Sequence, residues 1–206
     1  MLKIILGCVV AIIVIIGVVS TYHMHRVNAE NKAEMAKFAT ETPLKTDLGK
    51  VLVVYYSLSG RTKDIARQIA DKTQGDLYEI KTVKEYSSPS VYAESKKELS
   101  KGDYPGLRTD NLPDVTKYDT VFIGGPVWWY TMSSPLYSFL NQTSLNGVRV
   151  VPFSTQGSNY GQFFADFAAN AKGAVILPSE SFNNMNDKYK TQISNKINVW
   201  LNKLSR

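Results

Sequence analysis

The first stretch of the chain has no polar break. Residues 4–19 read IILGCVVAIIVIIGVV, uncharged and without an amphipathic stripe. At ~1.5 Å per residue they cover about 24 Å of helix. Residues 20–22 bring that near the ~30 Å hydrocarbon core of a bilayer. The pattern predicts a transmembrane signal anchor over residues 1–22. A cleaved export signal is the competing reading. Lys3 supplies its basic start and Val27-Asn28-Ala29 a small-residue cleavage site, although His23, His25 and Arg26 suit the approach to such a site poorly. Residues 23–49 turn polar and charged and read as a linker, with a short helix over 28–38. A basic start followed at once by an apolar run favours an extracytoplasmic domain. Counting Lys and Arg on the two flanks does not.

From Lys50 the periodicity changes. Residues 51–56 are continuously apolar, as in a strand buried on both faces. Over 62–73, Ile65, Ala66, Ile69 and Ala70 recur at helical spacing, and Gly75 marks a stop. Further strands are predicted at 77–80, 119–124, 148–153 and 174–177. Further helices are predicted at 89–99, 135–141 and 160–171. A last helix carries Ile193, Ile197, Trp200, Leu201 and Leu204 on one stripe. Strands alternating with helices imply an α/β fold, a parallel sheet covered on both faces, with residues 50–206 as one domain.

In such a sheet, ligands lie beyond the carboxyl ends of the strands. Three unusual stretches fall there. After the first strand comes Ser57-Leu58-Ser59-Gly60-Arg61-Thr62. Hydroxyls around a glycine at a helix start make a phosphate nest, since the first turn of a helix has unpaired N–H groups and a positive dipole end. The loop is not a Walker sequence or a dinucleotide fingerprint, and it has no phosphatase cysteine. After the third strand, Pro126-Val127-Trp128-Trp129-Tyr130 offers a flat aromatic platform for a planar ring. After the fourth, Thr155-Gln156-Gly157 presents backbone amides to ring heteroatoms. Phosphate at one end, a platform in the middle and amide donors opposite describe a site for flavin mononucleotide (FMN).

Composition narrows the chemistry. The 206 residues carry a net charge of +6 with Lys and Arg scattered, which does not suggest a nucleic-acid partner. The one cysteine, Cys8, lies in the apolar run, and the two histidines, His23 and His25, precede the domain. The domain therefore offers no disulfide framework, thiolate metal site or histidine triad. No metal and no catalytic side chain are expected, and redox work falls to a borrowed cofactor.

The three stretches also carry a family resemblance. Ser57-x-Ser59-Gly60-x-Thr62 after VVYY resembles the phosphate loop of the flavodoxins. YDTVFIGGPVWWYTMSSPLYSFL and VPFSTQGSNYGQ resemble the second and third loops of a flavodoxin-like subfamily with a P-x-W-W second loop. The resemblance spans about residues 50–180. It implies a flavodoxin-like, doubly wound five-stranded parallel sheet in the order 2-1-3-4-5, preceded here by the N-terminal helix. It implies bound FMN, with Ser57, Ser59, Gly60, Arg61 and Thr62 at the phosphate. Pro126, Trp128 and Trp129 would flank the ring, and Thr155, Gln156 and Gly157 would face its polar edge.

The chain departs from the family pattern in four ways. Arg61 stands where Asn is usual, and Gln156 where relatives often carry His. The domain is basic where many flavodoxins are acidic, and a membrane segment is atypical of a soluble carrier. The leading functional reading is a membrane-tethered electron carrier that serves a redox partner protein or a quinone. An NAD(P)H- or quinone-dependent flavin oxidoreductase and a tethered interaction module with a degenerate site remain as alternatives.

Overall fold

The computed structural model describes residues 2–87, 89–108, 112–183 and 187–204. Along them run α1 (Leu2–Ala36), β1 (Val51–Tyr55), α2 (Arg61–Thr73), β2 (Asp76–Glu79), α3 (Val91–Lys101), β3 (Thr120–Trp128) and β4 (Thr131–Met132). Then follow α4 (Ser134–Gln142), β5 (Arg149–Gln156), α5 (Phe163–Asn170), β6 (Val175–Ile176), β7 (Glu180–Asn183) and α6 (Lys190–Leu201).

The continuous apolar run becomes a fully buried strand because both of its faces are covered. Leu52, Val54 and Tyr56 point into one core with Val121, Ile123, Val150, Phe139 and Phe163. Val51, Val53 and Tyr55 point into the other with Phe122, Phe153, Ile65, Ile197 and Trp200. The strands are parallel in the order β2-β1-β3-β5-β6. With the short hairpin return β4 set aside, this is the expected order 2-1-3-4-5.

Three boundaries differ from the sequence reading, each for a physical reason. β3 runs past residue 124 to Trp128, through Gly124 and Gly125. A Cβ at Gly124 would come within 2.4 Å of the Phe153 ring, and one at Gly125 within 2.6 Å of Leu136. Glycine here lets the strand continue under close neighbours. The fifth-strand position is shared: β6 pairs with the start of β5, and β7 with residues 153–156 of β5. Pro178, between β6 and β7, has no N–H for the ladder and breaks that edge.

The third difference concerns residues 23–49. α1 continues without a break to Ala36. Val27, Asn31 and Met35, spaced one turn apart, are buried. Lys196, 2% exposed, pairs with Glu34 and with Glu180, the latter at 3.2 Å. Asn198 Nδ2 donates to Thr42 O (2.6 Å) and Asn202 Nδ2 to Pro43 O (2.9 Å). The segment expected as a linker is packed along α6.

Buried phenols set an alkaline limit on this fold. Burial pushes the Tyr55 and Tyr137 hydroxyls up to about 12 and raises those of Tyr56 and Tyr86 as well. An unfolded tyrosine ionises near ~10. The stabilisation is therefore complete below that pH and is lost as the pH climbs from about 10 to about 12. Alkaline unfolding should follow this window, read by tryptophan emission and phenolate absorbance together.

Candidate functional site

The three loops meet at one cleft at the carboxyl edge of the sheet. It measures about 430 Å³, within the ~300–1,000 Å³ of small-molecule sites. Of the eleven residues singled out in the sequence, nine line it: Ser59, Arg61, Thr62, Pro126, Trp128, Trp129, Thr155, Gln156 and Gly157.

Ser57 and Gly60 instead shape the loop. Gly60 N donates to Ser57 Oγ (3.1 Å), and Gly60 has φ 91°. That left-handed turn carries the chain into α2. Gly60 at the N-cap position has no side chain to cap α2. The first turn of α2 borders the cleft with its positive dipole end. Thr62 is buried, and its hydroxyl lies 2.8 Å from that of Thr155, tying the first loop to the third. Lys63, in the first turn of α2, pairs with Glu79 at 3.3 Å. On the third loop, Ser154 Oγ donates to Gln156 Oε1 (3.0 Å), and a Cβ on Gly157 would meet open space.

The two tryptophans have different settings. Trp128 is partly buried, edge-on to Tyr56 (5.6 Å between ring centroids) and to Tyr86 (5.1 Å). Trp129 and Tyr130 form the two-residue turn of a hairpin in which Trp128 pairs with Thr131. Both have positive φ, 52° and 62°. Such turns favour Asn and Gly, and bulky side chains there carry strain.

The strain is held from two sides. Trp129 Nε1 donates to Ser95 Oγ (3.1 Å), and Gln162 N donates to Tyr130 O (2.7 Å). Tyr130→Gly should therefore stabilise the fold by about 0.5–1 kcal/mol, the relief of ~1–2 kcal/mol at positive φ less the entropy cost of glycine. A denaturant midpoint shifted upward checks it.

The sequence reading missed one wall. Val91, Tyr92 and Ser95 of α3 also line the cleft. Tyr92 stands edge-on to Trp129, and Lys96 Nζ lies 5.1 Å from the centroid of that ring. The available signal was Val91 and Ser95 spaced one turn apart, with a small polar residue where an apolar one would face the core.

The cleft can thus take an anion at the α2 terminus and a flat ring beside the hairpin. Its nearest hydroxyls and amides suit hydrogen bonding rather than nucleophilic chemistry. Residues 50–203 match a family model described as Flavodoxin. The chain belongs to the flavodoxin family. Solved flavoprotein structures are similar to it. A protein assigned as a flavoprotein from Bacteroides uniformis ATCC 8492 is 26% identical, with a TM-score of 0.65 over 77% of this chain and 100% of its own. One from Bacteroides eggerthii DSM 20697 is 27% identical, with a TM-score of 0.63 over 74% and 96%. A flavoprotein from Lactobacillus acidophilus NCFM, solved in complex with FMN, is 25% identical, with a TM-score of 0.58 over 66% and 93%.

Proposed function

We propose that this flavodoxin-family protein binds FMN in the cleft and carries electrons while tethered to a membrane by α1. The observation that supports it best is the convergence of the α2 N-terminus and the Trp128-Trp129 hairpin on one cleft. Bound FMN would supply one- or two-electron redox chemistry.

The chain's own residues bind and orient. Ser59, Thr62 and the α2 amides take the phosphate, and the Arg61 side chain lines the same end. Trp128 and Trp129 flank the ring, and their electron-rich faces oppose extra negative charge on it. Thr155, Gln156 and Gly157 meet its polar edge. The fit has a structural basis: Ser59, Thr62, Trp128, Trp129 and Gln156 line one cleft, and a Cβ at Gly157 in its lining would meet open space. Tethering is supported by residues 5–19 of α1, apolar and exposed along their whole length.

The oxidoreductase alternative rests on the α3 wall, which gives the cleft a side that a substrate would contact. Anaerobic reduction separates the two. A carrier is reduced by an added reductase and not by NAD(P)H alone. Steady NAD(P)H oxidation with a quinone, in the absence of a reductase, would overturn the carrier reading.

A further inference from the structure

The C-terminal end of α1 lies beside the carboxyl half of the sheet, the end at which the cleft opens. Lys196 Nζ meets Glu34 of α1 and also donates to Ser181 O of β7, so Glu34 stands level with Ser181. From there the chain descends beside α6. Asn195 Nδ2 donates to Phe38 O (3.0 Å), Asn198 to Thr42 O and Asn202 to Pro43 O, and Thr46 Oγ1 donates to Leu204 O (2.8 Å). α6 itself runs from the carboxyl edge toward the amino edge, where β1 begins.

Glu34 of α1 is thus fixed near the carboxyl end of β7. Ser181 precedes Asn183, the partner of Gln156, by two residues, ~7 Å of strand. Tyr22 precedes Glu34 by twelve residues, ~18 Å of helix.

A second observation concerns the rim. Tyr92, Trp129, Tyr130 and Tyr160 are 69%, 45%, 62% and 45% exposed, and all four stand at this edge. The other exposed large apolar residues of the described domain, Leu77, Val83, Val175 and Ile176, are aliphatic. Trp and Tyr settle at membrane–water interfaces. Neither core burial, turn chemistry nor the cleft lining accounts for Tyr130, since the turn favours Asn and Gly. Lys96, over the Trp129 ring, adds a cation that anionic headgroups attract.

We infer that α1 continues past the carboxyl edge, so that the cleft of the tethered protein faces the bilayer, with Tyr92, Trp129, Tyr130 and Tyr160 seated at the boundary of headgroups and acyl chains. Its redox partner then reaches the site from the membrane side. This rests on the tethering reading above.

The test uses the full-length, FMN-loaded protein in phosphatidylcholine–phosphatidylglycerol vesicles with a nitroxide lipid at the headgroup–acyl boundary. A fluorophore is placed at Tyr160→Cys or, at the opposite edge, at Ser144→Cys, each with Cys8→Ser. The label at 160 should lose half its emission or more, and the label at 144 should keep its own. Trp129 emission in the FMN-free chain, taken as wild type minus Trp129→Phe, should be quenched in the same vesicles. Protein that floats with the vesicles and carries flavin, yet leaves both reporters unquenched, overturns the inference and spares the function. Protein that does not float overturns the tether and the inference together, and its flavin absorbance still reports on the cofactor.

Discussion

Replacing Ser59 and Thr62 together by alanine weakens FMN binding by about two to four orders of magnitude. A hydrogen bond to a charged group contributes about 1.5–3 kcal/mol, so two lost bonds cost about 3–6 kcal/mol, at ~1.4 kcal/mol per tenfold. The two positions fail differently. Ser59 is exposed, so its loss reports on the ligand alone. Thr62 is buried against the Thr155 hydroxyl at 2.8 Å. One of the pair can accept while the other donates toward the phosphate, and alanine at 62 also strands Thr155. Titration of the variants with FMN by flavin fluorescence measures the loss. A thermal melt of the cofactor-free protein separates affinity from folding, with Ser59→Ala expected to melt like the wild type.

Lys196→Met costs about 3–5 kcal/mol of stability, a large part of the ~5–15 kcal/mol that holds a typical domain. The ammonium is 2% exposed and sits among Glu34, Glu180, Ser181 O and the rings of Phe38 and Phe182. Without it, two half-buried carboxylates face each other with no counter-charge. Adding Glu34→Gln and Glu180→Gln to Lys196→Met should recover much of the loss, because the harm lies in uncompensated charge more than in lost attraction. Denaturant unfolding of the full chain in detergent measures both. A triple variant no more stable than the single one would mean that the ammonium's packing, not its charge balance, matters.

The sequence was most legible where strands end. A buried apolar run forces a strand, and its carboxyl end must present whatever follows to the ligand edge, so linear order already placed Ser59, Thr62, Trp128 and Gln156 at the edge where the cleft lies. Ser95 was not, because α3 reaches the cleft only through tertiary packing of a polar stretch. The Trp129-Tyr130 turn was hidden because its residues contradict the local turn code and are held by Ser95 and Gln162 from elsewhere in the chain. The run from 23 to 49 looked like a linker because its buried stripe is only Val27, Asn31 and Met35, too sparse among charges to stand out. Pro178 was visible, but only the sheet shows that β7 resumes the edge beyond it.

Lys63 pairs with Glu79, and Lys196 with Glu34 and Glu180. Each of these lysines is matched by at least one carboxylate, so the pairs take nothing from the net positive charge, and Arg61 and Lys96 stand at the border of the cleft.

The measurement that decides most is FMN binding by the full-length protein, read as flavin absorbance and fluorescence across the protein peak in gel filtration. Co-eluting flavin with quenched emission is the predicted result, with Trp128 and Trp129 beside the ring and the phosphate at the α2 terminus. A colourless peak that leaves added FMN free and fully fluorescent would contradict it and leave a tethered interaction module as the reading to pursue.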